Sequence, residues 1–97
     1  MKAVMIFYNQ ALTERLEYVL EKLGIRGFSR WEDLQGVGSK TGEPRMNTHT
    51  WPEHNSATIT IIDDSMVSKL LEAIKKIDNI NQEVGIRAFV WNIEQTV

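Results

Sequence analysis

Gly36-Val37-Gly38-Ser39-Lys40-Thr41-Gly42-Glu43-Pro44-Arg45-Met46-Asn47-Thr48-His49-Thr50-Trp51-Pro52-Glu53-His54-Asn55 divides the chain into two patterned halves. The stretch holds three of the six glycines, both prolines, both histidines and one of the three tryptophans, and no apolar periodicity runs through it. A compact domain of this size rarely carries a connection of about 20 residues without structure unless that connection functions or is disordered. Loop 36–55 is therefore the expected seat of function, presented by a rigid scaffold.

Upstream, Ala3 to Tyr8 is a short run rich in β-formers, read as a strand buried on both faces and ended by Asn9-Gln10. From Ala11 to Leu23, Leu12, Leu16, Val19, Leu20 and Leu23 recur at helical spacing, and Gly24 stands where a helix ends on a positive φ. Ile25 to Leu34 reads as a weaker strand through Ile25, Phe28 and Trp31. Downstream, Ser56 to Ile62 alternates, with Ala57, Ile59 and Ile61 on one face and Thr58, Thr60 and Ile62 on the other. Asp63, Asp64 or Ser65 is placed to cap a helix whose buried stripe is Met66, Val67, Leu70, Leu71, Ile74 and Ile77. Asp78 to Glu83 reads as a polar turn, and Val84 to Ile93 as the last strand.

The order is β-α-β-loop-β-α-β in a single domain, residues 1–97. It predicts an α+β fold of the ferredoxin-like βαββαβ type: a four-stranded antiparallel sheet with both helices on one face and a long insertion between strands 2 and 3. The other sheet face has no element of this chain to cover it, which points to further copies of the same sheet.

The totals narrow the function. A chain of 97 residues buries only about 60–65% of its unfolded surface, so association would help it. A net charge of −2 gives no electrostatic footprint for nucleic acid. Without cysteine there is no disulfide framework, thiolate metal site or thiol nucleophile. No apolar run approaches the roughly 18 residues of a membrane span, and Met1 to Tyr8 lacks the layout of a cleavable signal. The expectation is a soluble cytoplasmic protein.

Gly36-Val37-Gly38-Ser39-Lys40-Thr41-Gly42, opening a long loop after a strand of this fold, resembles the Gly-x-Gly-x-x-x-Gly start of the T-loop in PII signalling proteins. Ala57 to Val67 is similar to the PII third strand and the start of its second helix, and Gly85 to Glu94 to its fourth strand. The resemblance covers nearly the whole chain. It implies a homotrimer whose small effectors, usually adenine nucleotides, bind between subunits, and T-loops that touch a partner transporter, enzyme or regulator. By position it implies that Gly36, Gly38, Ser39 and Lys40 line the phosphate end of the cleft, with Ser29 near the adenine and Arg87 as a further cation. Arg45, Met46 and Trp51 would then meet the partner.

The chain also departs from that pattern. Loop 36–55 holds no tyrosine to uridylylate. The turn Asn79 to Gly85 has one glycine and a carboxylate where PII proteins have a Gly-rich, lysine-bearing turn. The sequence stops at Val97, ahead of the basic segment that clamps phosphates in PII proteins. What remains resembles the divergent PII-like group often encoded beside heavy-metal efflux transporters, and weak or absent ATP binding is expected.

A second reading is a metal-binding or metal-tolerance protein of CutA-like trimeric fold, with His49, Glu53 and His54 as candidate ligands for a divalent metal. Trp51 before Pro52 is biased to extended geometry, where it anchors the loop or meets a partner. No histidine pairs recognisably with a serine and an acid, so no enzyme is expected.

Overall fold

The computed structural model describes residues 1–38, 43–50, 52–80 and 85–97. Its strands are β1 (Lys2–Asn9), β2 (Ser29–Leu34), β3 (Asn55–Ile62) and β4 (Ile86–Asn92), and its helices α1 (Thr13–Lys22) and α2 (Asp64–Ile80). All three strand pairings are antiparallel, in the order β2-β3-β1-β4. This is the ferredoxin-like βαββαβ arrangement expected from the element order.

Register divides the sheet into two faces. Val4 pairs with Thr60 and Val90, Ile6 with Thr58 and Ala88, and Tyr8 with Ser56 and Ile86. Val4, Ile6, Tyr8, Ile62 and Ile86 pack with Leu12, Leu16 and Leu20 of the first helical segment and Leu70, Ile74 and Ile77 of α2. Both helices therefore cover one face, as their apolar stripes predict. On the other face, Trp31, Ala57, Phe7 and Arg87 form one row across the four strands, and Ser29, Ile59, Met5 and Phe89 the next. Ile61, Ala3 and Trp91 continue it. Phe7, Trp31, Ile61, Phe89 and Trp91 are between 39% and 55% exposed there.

Several boundaries differ from the sequence reading. β1 is buried on the helix face, but Phe7 stands on the open one, so the strand is not enclosed on both sides. Ile25 lies outside β2 because its N–H closes the end of α1 on Leu20 O at 2.8 Å, beside Gly24 N–H on Glu21 O at 3.0 Å. With Gly24 at φ +72° this is a Schellman ending, and Ile25 packs against the core instead of pairing. A 3-10 turn, Gln10–Leu12, precedes α1, with Asn9 Oδ1 accepting from the Ala11 N–H at 3.0 Å. α2 runs through Asp78 and Asn79 to Ile80, because extending a formed helix costs only tenths of a kcal/mol at such residues. Val84, read as the start of the last strand, lies outside the described residues, and β4 begins after Gly85, whose φ of +84° does not suit a strand.

Candidate functional site

The loop leaves β2 through a bulge. Trp31 pairs with Ala57 and Leu34 with Asn55, so two residues of β2 oppose one of β3. Asp33, one of the two, takes φ +58°, a conformation aspartate tolerates better than most side chains. Gln10 holds it there: Gln10 Oε1 accepts from the Asp33 N–H at 2.8 Å and Gln10 Nε2 donates to Asp33 Oδ1 at 3.2 Å. His54 Nδ1 lies 2.8 Å from the same carboxylate oxygen, and Ser56 Oγ donates to Gln10 Oε1 at 2.9 Å. The start and end of the loop are thus fastened to each other and to the turn after β1.

Beyond the bulge the loop has structure of its own. Gly36 and Arg45 exchange both backbone hydrogen bonds, at 2.7 and 2.6 Å, as an isolated antiparallel bridge. Gln35 Nε2 donates to Met46 O at 2.8 Å. A second turn follows, with Asn47 at φ +54° and its N–H on Glu53 O at 3.3 Å. Thr48, His49, Thr50, Pro52 and Glu53 are exposed on it. The sequence suggested an unstructured connection; local polar pairing, which leaves no apolar period to read, supplies this structure instead.

Among the expected site residues, Gly36 is half-buried in the bridge and Gly38 is exposed, while Ser39, Lys40 and Trp51 lie outside the described residues. Arg45 is only 17% exposed at its side chain and donates from Nη1 to Asn55 Oδ1 at 2.8 Å, with Glu53 Oε2 3.9 Å from its Nε. Met46 is half-buried. Ser29 and Arg87 are exposed on the two outer strands, β2 and β4, three strand spacings or about 14 Å apart. One protomer therefore does not bring them together. Arg87 Nη1 faces Asp78 Oδ2 at 3.5 Å.

The candidate metal ligands are likewise dispersed. His54 is engaged with Asp33, whereas His49 stands on the outer turn. Among the described residues no group of three or more His, Cys, Asp or Glu side chains is placed to hold a metal ion. The shifted ionisations lie elsewhere. Arg30 is held above its ordinary value by its hydrogen bond to Glu17. Asp64 is held below the usual aspartate value by the Met1 ammonium 2.9 Å away. Among the described residues no helix is long and apolar enough to cross a membrane.

Sequence reasoning missed Gln10, Asp33 and Asn55. Their signal was faint: polar residues where a strand ends, a motif common to any turn.

The whole chain, residues 1–97, matches the family model described as Nitrogen regulatory protein P-II. No curated protein matches it in sequence. Among solved structures, CPII from Thiomonas intermedia K12, a nitrogen regulatory PII-like protein bound to ADP, AMP and bicarbonate, superposes with a TM-score of 0.74 at 21% identity, over 95% of this chain and 88% of that one. The same protein bound to ADP and bicarbonate gives 0.77 at 21% identity, over 95% and 84%. A putative PII-like signaling protein from Thermus thermophilus gives 0.69 at 22% identity, over 95% and 85%.

Proposed function

The chain belongs to the nitrogen regulatory protein P-II family, and on that premise we propose that it is a homotrimeric signalling protein that binds a small effector between subunits. The effector class is an adenine nucleotide, in keeping with the ADP and AMP held by the similar CPII structures. Loop 36–55 carries the signal to a partner protein, a membrane transporter being the class to which the family resemblance points. The role is regulation of a partner rather than catalysis.

The observation that carries this reading is the position of Ser29 and Arg87 on opposite outer strands. A ligand touching both needs the β2 edge of one copy beside the β4 edge of another. The open apolar face between those edges supplies a reason for copies to meet. Gly36, Gly38, Ser39 and Lys40 are the proposed phosphate-facing residues beside the β2 edge. The departures in the turn ahead of β4 lead us to expect weaker ATP binding than a full PII protein shows.

Native mass spectrometry with titration calorimetry tests the reading. The expected result is a trimer that binds ADP or AMP, with binding reduced by Arg87→Ala. A monomer, or a trimer indifferent to ADP, AMP and ATP, would overturn the nucleotide reading.

A further inference from the structure

Two glycines 49 positions apart each leave room for a side chain where a Cβ would stand. A Cβ on Gly36 would lie 2.7 Å from Asn55 Nδ2. One on Gly85 would lie 2.5 Å from Arg45 Nη2 and 3.4 Å from its Cζ. The two intruding side chains are bonded to each other, with Arg45 Nη1 donating to Asn55 Oδ1 at 2.8 Å. The Arg45 backbone in turn holds Gly36 through both bridge hydrogen bonds. The loop start, its returning arm, the first residue of β3 and the residue ahead of β4 thus form one closed set of contacts. Gly85 O also accepts from the Asn9 N–H at 3.2 Å, which ties the set to the end of β1.

We propose that Arg45 is a positioning residue that latches loop 36–55 to Gly85 and to Asn55, so that displacement at either end is felt at the other. The physical reason is space. The guanidinium rests against bare backbone at Gly85, so Gly85 has no side chain to absorb a shift and any movement toward Arg45 displaces the guanidinium. Close-packed contacts of this kind pass displacement on rather than damping it. Arg45 also donates a hydrogen bond to Asn55 and pairs through its backbone with Gly36, so its displacement reaches the loop stem. Such coupling is reciprocal: what orders the loop also fixes Gly85. The inference that this latch serves signalling rests on the proposed role of the loop; the latch itself does not.

Amide hydrogen exchange on the full chain tests it without any ligand. Arg45→Ala is expected to speed exchange at the Gly36 amide and also at the Asn9 amide by about tenfold, as for loss of one hydrogen bond to a charged group. Amides of Val4 and Ile6, in the middle of β1, serve as controls and are expected to keep their rates. Asn55→Ala is expected to speed the same two amides, and the double variant to add little, because both changes open one latch. Acceleration confined to residues 36–54, or effects that simply add, would overturn the proposal. Should Arg45→Ala not fold, Asn55→Ala alone decides it through the Asn9 amide. A parallel arm with ADP separates the two readings. If ADP does not bind the unmodified chain, the effector reading fails while the ligand-free exchange still decides the latch. If ADP binds, wild type is expected to change exchange at Gly36 and Asn9 together, and Arg45→Ala to uncouple them. Coupled changes persisting in Arg45→Ala would overturn the latch.

Discussion

Tyr8 OH and Thr58 Oγ1 meet at 2.9 Å in the interior beneath the helices, each residue no more than 1% exposed. That contact identifies which face of β3 is internal. Ser56, Thr58 and Thr60 turn toward the helices, with Thr60 Oγ1 donating to Gly27 O at 2.6 Å, and Ile59 and Ile61 turn away. The more apolar face of β3 is therefore the one its own helices leave uncovered.

Thr58→Val keeps the side-chain shape but removes the partner of a buried phenol. We expect it to destabilise the protein by about 1–3 kcal/mol despite the added methyl group, because an unsatisfied buried hydroxyl costs that much. Urea unfolding of the two proteins measures this. A valine variant as stable as wild type would mean that Tyr8 finds another partner.

The open face predicts assembly. Phe7 and Phe89 make an edge-to-face contact there, ring centroids 6.2 Å apart, on the sheet face that also exposes Trp31, Ile61 and Trp91. Phe89→Asp places a charge on that surface and is expected to yield monomers in native mass spectrometry, where the wild-type chain is expected to give trimers. A wild-type monomer at tens of micromolar would remove the basis for an intersubunit site.

Acid sensitivity is expected at the start of α2. The Met1 ammonium, at 2.9 Å, and Lys2, at 4.0 Å, favour the ionised form of Asp64, so its folded pKa lies below its unfolded one. The stabilisation is accordingly present above the unfolded value of about 3.9 and is lost as pH falls through the lower folded value. Asp64→Asn removes this share, so the stability gap between wild type and variant is expected to shrink as pH drops from 6 toward 3. A gap that stays constant across that range would show that the charge of Asp64 contributes nothing to stability.

Loop excision separates stem from tip. Asn47 N–H already meets Glu53 O at 3.3 Å, so replacing residues 48–52 by a two-residue Gly-Ser linker closes a gap the fold has nearly closed. We expect a cost of about 1 kcal/mol or less, since closure entropy depends weakly on loop length. Extending the excision to 41–53 removes Arg45 and its bond to Asn55, and a larger loss is expected. Thermal melts of the two variants check the order; equal losses would place Arg45 outside the packing.

Helical spacing in α1 and α2 and alternation in β3 made the element order legible, because each pattern records burial along one segment. The order then restricted the topology to one antiparallel sheet with both helices on a single face. Gly24 was legible for the same local reason, a helix ending that needs a positive φ. The glycines that open the loop pointed to the family, and they did so as a pattern of residue types, without geometry.

Tertiary structure decided what depends on partners distant in sequence. Alternation in β3 separates two faces but does not say which meets the helices; the pairing of Thr58 with Tyr8 settles that, against the more apolar face. Ile25 looked like strand because its apolarity is local, and it left the strand because its N–H was needed at the end of α1. The loop looked unpatterned because its order comes from polar contacts across the fold: His54 with Asp33, Gln10 with both Asp33 and Ser56, and Arg45 with Asn55 over Gly85. Hydrogen bonds between residues 10 to 46 positions apart leave no period in a sequence, so only the folded chain displays them.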